Sequence, residues 1–196
     1  LTVLAVDHRS QFEDICRETG ADPARIPAFK ALVLQAVDRL AQGDHRFGVL
    51  LDGRYGMRGL EAAADHPYWI GRPIELPGSR PLVCESSADV ATELLSWPYN
   101  HVVKCLVFYH PDDPQELRER QERQLLRLQD ACQKTRHELL VEVISSRHGA
   151  IDAHTAARAI QRLYDRGMKP DWWKLEPAAD LATWANIEHA IRSNDP

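Results

Sequence analysis

Short apolar runs alternate along this chain with longer segments of helical period, and this alternation constrains the fold more than any other feature. Strands followed by helices are typical of βα units, which build parallel sheets. Six runs are predicted as strands, at residues 2–6, 47–51, 70–76, 102–109, 139–144 and 172–175. The sequence therefore predicts an α/β protein with about six βα units.

The segments between the strands carry helical periodicity and capping residues. Asp22 followed by Pro23 predicts an N-cap and first turn for a helix that reaches Leu40. The spacing of Phe29, Val33, Ala36, Val37 and Leu40 predicts its buried face. Further helices are predicted at residues 87–97, 114–136, 152–166 and 181–192. The many charges of 114–136 are interpreted as a solvent-exposed face.

Two parallel architectures fit this pattern. A (β/α)8 barrel needs eight units and typically about 250 residues, whereas this chain has 196. A doubly wound sheet accommodates six strands, but its glycine-rich first turn is absent, since DHRSQ follows the first strand. No internal repeat or linker divides the chain, so one domain over residues 1–196 is predicted.

Composition excludes several classes of partner. The net charge of -5 and the pI near 6.0 argue against nucleic acid or an anionic membrane as the main partner. No apolar stretch approaches the roughly 18 residues of a spanning helix, and the start LTVLAVDHRS lacks the basic region of a secretory signal. The four cysteines form no CxxC pair. A reduced, cytoplasmic protein is predicted.

Ionisable residues cluster near the carboxyl ends of the predicted strands, where sites form in parallel α/β folds. They are Asp7, His8, Arg9, Asp52, Glu75, Lys104, Glu142, Lys174 and Glu176. Residues two apart on a strand share a face, so Lys174 and Glu176 are predicted to lie on one side of the last strand.

Two lysines stand out because the chain has only five, against nineteen arginines. Lys104 and Lys174 lie in apolar strands, and Glu142 lies in the middle of another. A lone strand lysine is more often an edge gatekeeper or a snorkelling side chain. Burial and a second cation, however, favour a neutral, nucleophilic amine. Such an amine attacks carbonyl groups to form an imine, and a carboxyl group moves the protons.

A metal centre is an alternative interpretation of the polar residues. His8, His101 and His110, with Asp7 and Glu142, have ligand chemistry that suits a metal-dependent lyase, but no HxH or HExxH spacing supports it. No GxSxG elbow is present either. The prediction therefore includes neither a metal nor a cofactor.

The stretches AVDHRSQ, LLDGRYG, RPIELPGSRPL, HVVKCLVFYHPDDP and DWWKLEP resemble a known family over essentially the whole chain. The chain resembles the domain at the carboxyl end of bacterial 5-dehydro-2-deoxygluconokinases of myo-inositol catabolism, which is similar to class I tagatose-1,6-bisphosphate aldolases. The resemblance implies a (β/α)8 barrel, with Lys174 as the Schiff-base lysine, Lys104 as the second active-site lysine and Glu142 as the proton-transfer carboxylate. Asp7 matches the family's first-strand aspartate, whereas His8 stands where the aldolases have glutamine.

The resemblance further implies cleavage of 2-deoxy-5-keto-gluconate 6-phosphate to dihydroxyacetone phosphate and malonate semialdehyde. The residues predicted to bind a phosphorylated sugar or keto-acid substrate are His8, Arg9, Asp52, Arg72, Arg80 and Glu176. Of these, Arg72 and Arg80 have the chemistry to hold the substrate carboxylate bidentately, with helix capping or surface pairing as the favoured alternative for each. A fused kinase domain is expected, and homo-oligomerisation remains open. The alternative function is a non-catalytic regulatory barrel attached to that kinase. We expect the natural polypeptide to continue beyond residue 196 with two more βα units that carry the family's phosphate site.

Overall fold

A computed structural model of the protein describes residues 1–64, 66–85 and 89–195. All six predicted strands are present to within one residue at most ends; the third, which ends three residues early, differs most. The strands are β1 (Thr2–Ala5), β2 (Phe47–Leu50), β3 (Trp69–Pro73), β4 (His101–Phe108), β5 (Leu139–Ile144) and β6 (Trp172–Leu175). Short apolar runs with β-branched residues thus identified the sheet correctly.

Seven α-helices occur among the described residues. They are α1 (Ser10–Thr19), α2 (Ile26–Ala41), α3 (Met57–Ala63), α4 (Val90–Leu94), α5 (Gln115–Thr135), α6 (Thr155–Asp165) and α7 (Leu181–Asn194). Helices α1 and α3 were not predicted from the sequence. The predicted start of the fourth helix at Ser87 lies outside the described residues. Asp22 accepts a hydrogen bond from the Ala24 amide, as an N-cap should, but it caps a 3₁₀ turn over Pro23–Arg25 that precedes α2.

The chain divides into two compact units, one of residues 1–73 and 98–103 and the other of residues 74–97 and 104–196. In the first unit the hydrogen-bonded strand order is β1-β2-β3-β4, and in the second it is β4-β5-β6, so the six-stranded sheet follows sequence order. The pairs β1–β2, β2–β3 and β5–β6 are parallel. Such sequential order is compatible with part of a (β/α)8 barrel, whereas a doubly wound sheet reverses direction at a switch point.

The core of the first unit lies between the sheet and α2. A cluster of buried residues there consists of Val6, Leu34, Val37, Ala41, Val49, Leu51, Leu60, Ala63, Tyr68 and Ile70. The predicted buried face of α2 is right only in part: Val37 is buried, but Phe29 is 48% exposed and Leu40 is 74% exposed. The residues that the helix buries are Ile26, Lys30, Leu34, Val37 and Ala41. Helix α2 carries apolar residues on most of its faces. The spacing of these residues therefore does not identify the face that packs against the sheet.

In the second unit, α5 and α6 bury a charge that was predicted to lie in solvent. Glu122 on α5 is 1% exposed. It accepts hydrogen bonds from the Tyr109 hydroxyl at 2.8 Å and from Nε of Arg162 at 2.9 Å. Desolvation, the largest single effect, raises the pKa of Glu122, but these hydrogen bonds together with the charges of Arg162 and Arg166 lower the pKa overall. Within the described part of the chain, no helix is long and apolar enough to cross a membrane.

Candidate functional site

Two of the predicted catalytic residues face each other across the parallel pair β5–β6. The backbone register places Glu142 directly opposite Lys174. Nζ of Lys174 donates to Oε1 of Glu142 at 2.7 Å. Opposed residues on neighbouring strands point to the same face, so the register itself brings the amine and the carboxylate together.

The second lysine approaches the same carboxylate from β4. Nζ of Lys104 lies 3.0 Å from Oε2 of Glu142. The same nitrogen donates to Oε1 of Glu75 at 3.2 Å, and Oε2 of Glu75 accepts the Leu106 amide at 3.1 Å. The four side chains therefore form a row of alternating charge, which we call the lysine–glutamate row: Lys174, Glu142, Lys104 and Glu75.

One end of the lysine–glutamate row is buried and the other end is exposed to solvent. The side chains of Lys104 and Glu75 are 4% and 5% exposed, and that of Glu142 is 10% exposed. The Lys174 side chain is 36% exposed. Lys174 is thus the solvent-exposed end of the row, and Lys104 lies on the buried side of Glu142.

Glu176 lies two residues beyond Lys174 and contacts the loop that follows β5. Its Oε2 accepts the amides of Ser145 at 2.8 Å and Ser146 at 3.1 Å, and its Oε1 accepts the Ser146 hydroxyl. This predicted substrate-binding residue therefore joins the end of β6 to the end of β5.

A cleft of about 350 Å³ opens beside Glu176. Its polar lining residues are Ser145, Asp152, Thr155, Glu176, Asp180 and Thr183. Two of these carboxylates accept hydrogen bonds from backbone amides at the start of a helix. Asp180 accepts the Thr183 amide at 2.7 Å, and Asp152 accepts the His154 amide at 2.9 Å. The remaining lining is mostly alanine and proline, so the cleft is a shallow, mixed surface at the carboxyl ends of β5 and β6.

Arg80 was predicted to bind a substrate carboxylate, and in the structure it is paired with the carboxylate of Asp113. One of its terminal nitrogens donates to Oδ1 of the buried Asp113, whose Oδ2 accepts the His110 amide at 2.9 Å. The Arg80 side chain remains 23% exposed. Its guanidinium is therefore oriented by the buried counter-charge of Asp113.

The first unit contains a lysine site that was not predicted from the sequence. Lys30 on α2 is fully buried and donates to Asp52, just beyond β2, and to the His8 carbonyl at 2.8 Å. Its Nζ also lies 5.3 Å from the centre of the Phe12 ring. Burial lowers the pKa of Lys30, while the bond to Asp52 opposes that effect. The sequence does contain a signal for this site: Lys30 is four residues from both Ile26 and Leu34, so the three residues lie on one face of α2.

Asp52 is held in place by more than Lys30. Its Oδ2 accepts the Tyr55 amide at 2.7 Å, and the Tyr55 hydroxyl donates to Glu13 at 2.6 Å. This predicted substrate-binding residue is 0% exposed. Its contacts thus organise the turn after β2.

The other predicted residues of the first unit differ in exposure. Asp7 and Arg9 are buried, at 6% and 4% exposure, and His8 between them is exposed. Arg72 lies in β3 and its guanidinium covers Gly53, where a side-chain carbon would lie 2.7 Å from a terminal nitrogen. A larger residue at position 53 would displace the end of the Arg72 side chain.

Metal-ligand geometry is absent from the described ranges 1–64, 66–85 and 89–195: no three or more histidine, cysteine, aspartate or glutamate residues are grouped so as to hold an ion. The histidine set considered from the sequence therefore does not assemble among these residues. The titratable residues that come together on β4, β5 and β6 are the lysines and carboxylates of the lysine–glutamate row.

Fold and site together define an α/β protein with a parallel sheet in which two lysines contact one glutamate across three strands. The chain belongs to DUF2090, a family described as uncharacterized and conserved in bacteria, whose model matches residues 1–196. No curated protein matches the chain.

Proposed function

We propose that the protein is a class I aldolase, a carbon–carbon lyase that uses Lys174 to form an imine with a ketose phosphate. The observation that carries the proposal is the position of Glu142, whose two oxygens lie 2.7 Å and 3.0 Å from the amines of Lys174 and Lys104. One amine is accessible and the other is buried. That arrangement supplies a nucleophile, a proton carrier and a fixed cation.

The first half of the reaction builds the imine. Glu142 removes a proton from the Lys174 ammonium, and the neutral amine attacks the ketone carbon of the substrate. The carbinolamine takes the proton back on its hydroxyl oxygen and loses water. The product is a protonated imine, and Glu142 is again a carboxylate paired with Lys104.

The second half breaks the carbon–carbon bond. A base removes the proton of the hydroxyl group on the carbon β to the imine carbon, the bond between the α and β carbons breaks, and its electron pair moves to the imine nitrogen. An aldehyde leaves and an enamine remains. Protonation of the enamine carbon and hydrolysis by one water then release the ketone and restore the Lys174 amine. Glu142 is the proton carrier within reach of this nitrogen.

The substrate we propose is 2-deoxy-5-keto-gluconate 6-phosphate, cleaved to dihydroxyacetone phosphate and malonate semialdehyde. Support comes from the sequence resemblance to the domain fused to 5-dehydro-2-deoxygluconokinases. Attachment to such a kinase, two further βα units and a cytoplasmic location are parts of the same proposal.

Borohydride reduction tests the imine directly. Protein incubated with dihydroxyacetone phosphate and borohydride is digested, and the modified peptide is identified by mass spectrometry. We expect the adduct on Lys174. Lys174→Arg keeps the charge but cannot form the imine, and its adduct should disappear. Lys134→Arg, at an exposed position of α5, is the matched control and should retain the adduct.

An adduct on Lys104 instead would exchange the roles of the two lysines. No adduct on either lysine would contradict the proposal and favour the regulatory barrel, in which the lysine–glutamate row is a structural ion-pair network. Loss of activity on EDTA treatment would favour a metal-dependent lyase.

A further inference from the structure

Glu75 lies just beyond the end of β3, in a segment whose backbone is hydrogen-bonded on both sides of this residue. The Ile74 amide donates to the Lys104 carbonyl of β4 at 3.0 Å, and the Leu76 amide donates to the Val83 carbonyl at 2.8 Å. The residues before and after Glu75 are thus held by different parts of the chain. The backbone therefore fixes the point from which the Glu75 side chain extends.

The two carboxylate oxygens of Glu75 have different partners. Oε2 accepts the amide of Leu106 on β4 at 3.1 Å, and Oε1 accepts Nζ of Lys104 at 3.2 Å. The side chains of Lys104 and Glu75 are 4% and 5% exposed. Burial favours the neutral form of a lysine unless nearby carboxylates replace the lost hydration. Lys104 has two such carboxylates, since its Nζ also lies 3.0 Å from Oε2 of Glu142.

Two thiols lie beside this pair, and both are neutral. Cys84 forms an isolated antiparallel bridge with Glu75, and Cys105 follows Lys104 on β4. Burial raises the pKa of each thiol, and the charge of Glu75 adds to the effect. The two cysteines therefore keep their protons at neutral pH. The charges that meet Lys104 in the row are those of Glu75 and Glu142.

We propose that Glu75 is a positioning residue that keeps Lys104 as an ammonium on Oε2 of Glu142, and thereby keeps a second cation beside Lys174. Lys174 and Lys104 contact the two oxygens of one carboxylate, at 2.7 Å and 3.0 Å. A nearby cation favours the neutral, nucleophilic form of an amine. Loss of the charge on Lys104 would therefore leave the Lys174 ammonium paired with Glu142 alone, and less of the amine would be free to react.

The proton on Lys104 can be measured without any reaction. Nuclear magnetic resonance of ¹⁵N-labelled lysine side chains resolves a chain with only five lysines, and Lys104→Arg assigns the signal. Glu75→Gln keeps an oxygen for the Leu106 amide but removes the charge, so Lys104 should release its proton roughly one pH unit or more lower than in the wild type. Glu61→Gln, at an exposed position of α3, is the matched control and should leave the midpoint unchanged.

Glu75→Asp gives a second test that does not depend on the folding of Glu75→Gln. Aspartate keeps the charge but draws the carboxylate back by about 1.5 Å, so the midpoint of Lys104 should fall by a smaller amount. An unchanged midpoint in a folded Glu75→Gln overturns the proposal. If Glu75→Gln does not fold, an unchanged midpoint in Glu75→Asp overturns it.

The effect on imine formation rests on the proposed function. Between the two midpoints, Lys104 is charged in the wild type and neutral in Glu75→Gln, so borohydride trapping of dihydroxyacetone phosphate on Lys174 should be roughly tenfold slower in the variant. Below both midpoints, the two proteins should react at similar rates. A loss of rate that is equal at all pH values would mean that Glu75 only supports the fold.

The two readouts separate this inference from the aldolase proposal. If the wild type forms no adduct but the midpoint of Lys104 falls in Glu75→Gln, the aldolase proposal fails and the control of Lys104 by Glu75 stands. If the wild type forms the adduct on Lys174 but the midpoint is unchanged in Glu75→Gln, the aldolase proposal stands and the role of Glu75 is overturned.

Discussion

The two units each bury a lysine against a carboxylate, but they treat it differently. In the first unit, Lys30 and Asp52 are both 0% exposed, and Lys30 is enclosed by the His8 carbonyl and the Phe12 ring. In the second, Lys174 is 36% exposed and shares Glu142 with Lys104. The same residue types thus give a closed pair that fixes loops and an open row that can meet a ligand. Exposure to solvent, rather than the presence of a lysine, separates the buried pair from the row for which we propose a chemical role.

The largest expected effect is a loss of turnover when the lysine–glutamate row is changed. Glu142→Gln keeps the shape of the side chain but cannot carry a proton, so kcat for ketose phosphate cleavage should fall about 10²-fold to 10⁴-fold with a much smaller change in KM. Steady-state kinetics measure both. Glu188→Gln, on the exposed side of α7, is the control. Near-normal turnover in Glu142→Gln would leave this residue as a counter-charge only.

Changes to the buried pair of Lys30 and Asp52 should lower the free energy of unfolding. Lys30→Met leaves the Asp52 carboxylate buried without its cation, which typically costs about 3–5 kcal/mol. Urea denaturation measures the loss. The double variant Lys30→Met/Asp52→Asn removes both charges and should recover part of it. No recovery in the double variant would mean that packing of the lysine stem, rather than charge, sets the cost.

Lys174 should behave in the opposite way. Lys174→Met leaves Glu142 paired with Lys104 and exposes no new buried charge, so we expect a loss of less than about 1 kcal/mol in the free energy of unfolding. Catalysis should nevertheless be abolished. A stability loss as large as that of Lys30→Met would remove the distinction between the two regions.

The smallest effect concerns alkaline pH. Burial lowers the pKa of Lys30 below its value of 10.5 in the unfolded chain. Between the folded and the unfolded pKa, the unfolded chain binds more protons, so titration of Lys30 makes unfolding less favourable as pH rises. Urea denaturation from pH 7 to 10.5 should therefore show a more positive slope of stability against pH for the wild type than for Lys30→Met/Asp52→Asn. Equal slopes would show that Lys30 does not titrate in this range.

The sequence predicted the strands and the open row because both depend on local patterns. Glu142 and Lys174 interrupt apolar runs whose register follows once the strands pair. Lys30 was missed because α2 is apolar on most sides and its inner face is chosen by tertiary packing. The short helix α3 has seven residues, too few to show a period, and α1 buries only Cys16 of its ten residues. Glu122 was placed in solvent because its partners, Tyr109 and Arg162, lie 13 and 40 residues away.

The contact between Glu176 and the loop after β5 bears on how this protein can change over evolution. Residues 145 and 146 are tied to the end of β6, and Ala150 is tied to His110, so the length between the two ties is fixed. An insertion there would move Arg147 relative to Lys174 even though the loop is exposed. Insertions beyond Ala150, before α6 begins, leave both ties intact. Substitutions at 147 and 148 therefore leave both ties in place, while length variation is confined to the few residues that follow Ala150.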